Sequence, residues 1–214
     1  DNDTLEVIRF SSLSGTYTVG TPTSDYPTLD SAVTFLNAVG VCGAVTFELA
    51  DMNHVGRVEI GNPIGSSSTN TITFKSAGGD PTQCIVSDTS RNANTNYIIT
   101  VNETQHVSFE DITIYNVSSG NYAGVVNIIE GSDVNFDNCH IKSLHSGSSV
   151  NAYLVSAQEE SVERISFSNS YFEGGSWGIY LNGSNSQHTN VFIEDNVFSN
   201  TFRSAIWMDE VDVV

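Results

Sequence analysis

Large apolar residues recur along this chain in a fixed relation to Asp and Asn. Phe109-Glu110-Asp111-Ile112-Thr113-Ile114, Phe136-Asp137-Asn138-Cys139-His140-Ile141, Phe167-Ser168-Asn169-Ser170-Tyr171-Phe172 and Ile193-Glu194-Asp195-Asn196-Val197-Phe198 share one pattern: apolar, x, Asp or Asn, x, x, apolar. Their first residues lie 27, 31 and 26 positions apart. Strand-like units repeating at this length mark a solenoid, whose core lies between stacked coils. Strand alternation then sorts the faces. Val107 and Phe109 point inward, as do Val134 with Phe136, Ile165 with Phe167 and Val191 with Ile193. Ser108 and Glu110 point outward. Phe47 and Phe74 fit as earlier members of the same column.

A second strand precedes each signature, at 97–101, 125–129, 152–157, 178–181 and 205–208, and a short third strand follows the Asp/Asn bend. Three strands per coil predict an all-β right-handed parallel β-helix solenoid. Asp111, Asn138, Asn169 and Asp195 sit at the bend as a structural turn ladder, because Asn and Asp tolerate tight turns and bond neighbouring backbone. One helix is expected. Thr28 can cap it, Gly40 can end it, and Leu29, Ala32, Val33, Leu36 and Val39 share a face. It serves as an N-terminal capping helix over the first coil. Residues 1–42 are thus a polar lead-in plus cap, and 43–214 are coils. The extra length falls in loops around 88–96 and in either 143–150 or 158–163. The pattern stops in mid-repeat at Val211-Asp212-Val213-Val214. That predicts further coils beyond, or an end covered by more chain or another subunit.

Composition narrows the function. The 214 residues suit one domain, 39% hydrophobic and only 15% charged, with a formal net charge of −18. Lys75 and Lys142 are the only lysines. Such a surface excludes nucleic acid, which needs cationic contacts to phosphate. No apolar run is long enough for membrane insertion. The odd cysteine count, Cys42, Cys84 and Cys139, lacks metal spacing. Cys139 takes the place of Ile112 and reads as a core residue; a Cys42–Cys84 bridge is left open.

The stretch Gly15-Thr16-Tyr17-Thr18-Val19-Gly20, then Asp25-Tyr26-Pro27-Thr28-Leu29 and the helix, then Gly43-Ala44-Val45-Thr46-Phe47, resembles secreted right-handed β-helix proteins of the Bacteroidota with pectate-lyase-like architecture. The resemblance implies an extracellular or cell-surface location. It does not fix an activity, because this fold serves lyases, hydrolases, esterases and adhesins alike. The paired aspartates plus arginine of a pectin methylesterase are not matched in the sequence, nor are the motifs of a polygalacturonase.

Three groups of side chains carry candidate chemistry. Trp207 and Tyr180 point outward on adjacent coils with Asn182 and Asp209 beside them and Trp177 at the preceding turn, a combination that suits the C–H faces and hydroxyls of a glycan. Glu110 and Asp137 are outward neighbours; they repel, so one is protonated or a calcium ion bridges them. No other cofactor is expected. His140, Lys142, Tyr171 and Glu173 form the best acid/base grouping. The first expectation is a surface β-helix for adhesion or glycan contact, without catalysis and with a glycan or cell-surface partner. The alternatives are a polysaccharide lyase or glycoside hydrolase using outward acids, and a structural stalk or assembly component.

Overall fold

A computed structural model describes residues 11–90, 92–158, 161–183 and 187–213. Arg9, Arg91, Val214 and part of the 158–163 loop lie outside the described residues. The chain opens with β1 (Leu13–Val19) and α1 (Leu29–Val39) and then winds in coils of three strands. The first coil is β2 (Val41–Leu49), β3 (Asn53–Val55) and β4 (Val58–Gly61). Next come β5 (Ile72–Ser76), β6 (Ile85–Asp88) and β7 (Ile99–Asn102), then β8 (Gln105–Glu110), β9 (Thr113–Asn116) and β10 (Val126–Ile129). The following coils are β11 (Ser132–Asp137), β12 (His140–Ser143) and β13 (Tyr153–Gln158), then β14 (Glu163–Ser168), β15 (Tyr171–Glu173) and β16 (Trp177–Asn182). The last are β17 (His188–Glu194), β18 (Val197–Ser199) and β19 (Ser204–Asp209), closed by β20 (Val211–Val213).

Equivalent strands pair in parallel into three sheets. The long sheet runs β1-β2-β5-β8-β11-β14-β17-β20; the second runs β19-β16-β13-β10-β7-β4 and the third β18-β15-β12-β9-β6-β3. The molecule is a right-handed parallel β-helix, the hand that parallel crossovers adopt. The coils also include β1, which pairs in parallel with β2 ahead of residue 43.

Phe47, Phe74, Phe109, Phe136 and Phe167 form one buried column. Successive rings stack at 5.0, 5.5, 4.9 and 5.3 Å between centroids. The strand register superposes them, as in the pairs Phe109↔Phe136 and Phe136↔Phe167. Each ring from Phe47 to Phe136 thereby meets a ring above and below in a dry interior, and Phe167 meets Ile193 on its far side.

Helix α1 covers the start of this column. Thr28 accepts a hydrogen bond from Ser31 N–H, and Ser31 completes a capping box. Leu29, Ala32, Val33 and Leu36 are buried. Gly40 ends the helix at φ 66°, where a Cβ would lie 2.2 Å from the Ile64 carbonyl oxygen. Only glycine fits there. Cys42 is exposed, Cys84 buried, and both are free, so the bridge considered from sequence is not formed. Cys139 is buried in the core.

Candidate functional site

The long sheet presents its outward residues in straight rows, because parallel register repeats each position about 4.8 Å further on. One row reads Glu48, Lys75, Glu110, Asp137, Ser168, Glu194. The next reads Thr46, Thr73, Ser108, Asn135, Ser166, Phe192. Glu110 and Asp137 are therefore side-by-side carboxylates in very different surroundings. Glu110 is half-buried. Burial pushes its carboxyl above the usual glutamate range; the charges of Asp111 and Asp137 add to this, and Lys75 opposes it. Asp137 is exposed, and its Oδ1 accepts from Ser168 Oγ and Asn169 Nδ2, both at 2.8 Å. Lys75 pairs with Glu48 at 3.3 Å. Two carboxylates fall short of the roughly six to eight oxygens of a calcium site. Among the described residues no group of three or more His, Cys, Asp or Glu side chains gathers as metal ligands.

Near the N-terminal ends of β8, β11, β14 and β17 in the same sheet lies a row that sequence alone did not assemble. His106, Asp133, Arg164 and Asn190 all have φ between 53° and 57°. Arg164 grips both oxygens of Asp133, at 2.6 and 2.8 Å, and also contacts Glu163. His106 Nδ1 lies 3.4 Å from Asp133. The Arg164 hydrogen bonds hold the Asp133 carboxyl below the usual aspartate range.

The bend residues Asp111, Asn138, Asn169 and Asp195 have φ of 57°, 49°, 51° and 52°. This left-handed conformation is the physical reason for Asp and Asn at these positions. Asn138 donates to Asp111 Oδ1 at 2.6 Å, but Asn169 turns to Asp137 instead of continuing the row. Asn196, one residue on, bonds the Phe167 carbonyl and the Ser170 N–H.

On the second sheet Tyr180 and Trp207 pair in register and stack, 4.4 Å between centroids and 8° from parallel. Asn182 and Asp209 pair beside them. Tyr153 packs on Tyr180 at 4.8 Å, and Trp177 meets both Tyr180 and Trp207 edge-on. Burial pushes the Tyr153 hydroxyl up to about 12. Arg203 lies over Trp177, whose buried Nε1 has no hydrogen-bond partner. The sequence suggested flat faces open to a sugar. In the structure Tyr180 packs against three rings, with Trp207 stacked parallel to it, so little of its flat face is left open.

The third sheet carries the acid/base grouping. His140 Nε2 lies 3.1 Å from Glu173 Oε2, and its ring packs on Tyr171 at 4.8 Å. Burial, aided by the Lys142 charge, lowers the His140 imidazole below its usual range, while Glu173 opposes the shift. Lys142 Nζ sits 4.5 Å from the Tyr115 ring centroid. A groove of about 660 Å³ opens beside them, with Phe202 and Leu144 on its rim. Neither rim residue has a periodic position from which the sequence could have placed it.

No family model matches the chain, and no curated protein matches it either. Solved structures do. A pectin methylesterase from Aspergillus niger superposes with a TM-score of 0.56 at 14% identity, over 95% of this chain and 72% of that one. Pectin methylesterase PemA from Erwinia chrysanthemi gives 0.54 at 11%, over 86% and 56%. Escherichia coli ybhc gives 0.56 at 12%, over 90% and 59%. This chain thus spans just over half the length of the last two. At these identities the likeness is one of fold.

Proposed function

We propose that the outer face of the long sheet processes a polysaccharide, with Glu110 and Asp137 hydrolysing an ester carried on the sugar chain. The observation behind this reading is the divergence of two carboxyls on neighbouring strands: one half-buried and raised, the other exposed and held by two donors. A carboxyl pushed up by burial beside one open to solvent can divide the work of acid and base. Water attacks the ester carbonyl and Asp137 takes its proton. Glu110 gives its own proton to the departing alcohol oxygen. Acid and alcohol leave, and a proton passes from Asp137 back to Glu110 through solvent. The pectin methylesterase names of the fold neighbours support this reading over the adhesion expected first. A polymer substrate implies work outside the cell or at its surface.

A second reading is glycan contact without cleavage at Trp177, Tyr180, Asn182, Trp207 and Asp209. It is favoured by the parallel stack of Tyr180 and Trp207 with Asn182 and Asp209 paired beside it.

The test is incubation of the whole chain with methyl- and acetyl-esterified polysaccharides. Release of methanol or acetate, lost in Asp137→Asn, supports ester hydrolysis. New reducing or unsaturated ends would replace it with glycoside or lyase chemistry. Binding with no product supports the second reading.

A further inference from the structure

We infer that the groove on the third sheet is a separate binding site for a sugar carrying an anionic substituent, either a carboxylate or a sulfate ester. It lies on another face from Glu110 and Asp137, and the inference does not rest on their activity.

Tyr115, Lys142, Glu173 and Ser199 occupy one outward row on successive coils. A lysine between a tyrosine and a glutamate would ordinarily pair with the glutamate. Here Glu173 reaches diagonally to His140 in the neighbouring row, at 3.1 Å. Lys142 turns the other way and lies over the Tyr115 ring. Among the described residues no carboxylate forms an ion pair with it. In a chain of net charge −18, with one other lysine, this ammonium stands out because it is not spent on an acid. The tyrosine face holds it by cation–π attraction and leaves its N–H donors open to the groove.

The remaining walls select the rest of the ligand. Phe202 and Leu144 are 58% and 54% exposed, giving an apolar surface for the C–H face of a sugar ring. Glu173 and Thr201 offer acceptors to ring hydroxyls. His145 lines the groove yet is buried: its Nδ1 is 3.1 Å from the Ser119 carbonyl oxygen, and its Nε2 has no partner. A buried polar atom left unpaired is unusual and points to a missing donor. Gly174 shapes the floor. At φ 79° a Cβ there would lie 2.2 Å from the Ser143 carbonyl oxygen. The volume suits one or two sugar rings.

Isothermal titration of the whole chain with sodium glucuronate, glucose 6-sulfate and glucose at low salt tests this. At least one acid is expected to bind about tenfold more tightly than glucose, and the preferred acid identifies the substituent. Lys142→Met should remove that preference, Lys142→Arg should keep it, and Phe202→Ala should weaken all three sugars. Glu110→Gln and Asp137→Asn should bind as wild type does, which separates this site from the long-sheet face. In the unmodified chain, the bound acid should slow acetylation of Lys142. Equal binding of acid and glucose, no binding of either acid, or an unchanged Lys142→Met would overturn the inference.

Discussion

Asn169 donates its side-chain amide to Asp137 Oδ1 at 2.8 Å, reaching back one coil from a left-handed bend. The contact links the turn row to the carboxylate row of the long sheet, so a residue read as a turn former also positions a candidate reacting group. Asn169→Gly keeps the backbone conformation but removes the amide. It is expected to cost at most about 1 kcal/mol of stability, the lost hydrogen bond being partly offset by relief of the positive-φ bend. Any ester hydrolysis should fall more than stability does. Urea unfolding beside an activity assay separates the two.

The phenylalanine column makes the largest stability prediction. Phe136 is fully buried and stacked on both sides. Phe136→Ala is expected to cost about 3–5 kcal/mol, since it opens a cavity that a coil cannot close without moving its neighbours. Urea titration followed by circular dichroism reads it.

The column was legible in the sequence because strand period and repeat length both act on residue type. Phe47, Phe74, Phe109, Phe136 and Phe167 are large, inward and in step, and few positions meet all three demands together. The Asp and Asn bends were legible for a related reason, their tolerance of positive φ. What escaped was everything set by torsion angles rather than by period. Tyr180 and Trp207 were placed as neighbours correctly, yet which way the rings face depends on side-chain rotamers. Lys75 follows Phe74 and so falls in the Glu110 row, but its turn towards Glu48 is a matter of side-chain torsion. Arg164 took its place because of a left-handed bend at a residue type that rarely shows one. Phe202, Leu144 and His145 lie where no repeat reaches.

Asn138 tests the bend itself. Its φ of 49° is strained for any residue with a Cβ, and its amide bonds Asp111 at 2.6 Å. Asn138→Ala is expected to destabilise by about 1–2 kcal/mol, and Asn138→Gly by less, since glycine removes the backbone strain. Thermal melts of the two variants give the order.

Burial lowers His54 and His188 below the ordinary 6.5. Between the lowered and ordinary values the folded chain holds fewer protons than the unfolded chain. Stability therefore rises with pH through that window and is lost on acidification below 6.5. Melting temperatures recorded from pH 7 downward should fall, and His188→Asn should flatten the slope.

The most direct measurement follows the Glu110 side-chain carboxyl by carbon-detected NMR as pH rises, in wild type and in Asp137→Asn. The account predicts a midpoint above the ordinary value of 4.5 in wild type and a downward move when the neighbouring charge is removed. A midpoint at or below 4.5, unmoved by the substitution, would contradict the division of these two carboxyls into acid and base.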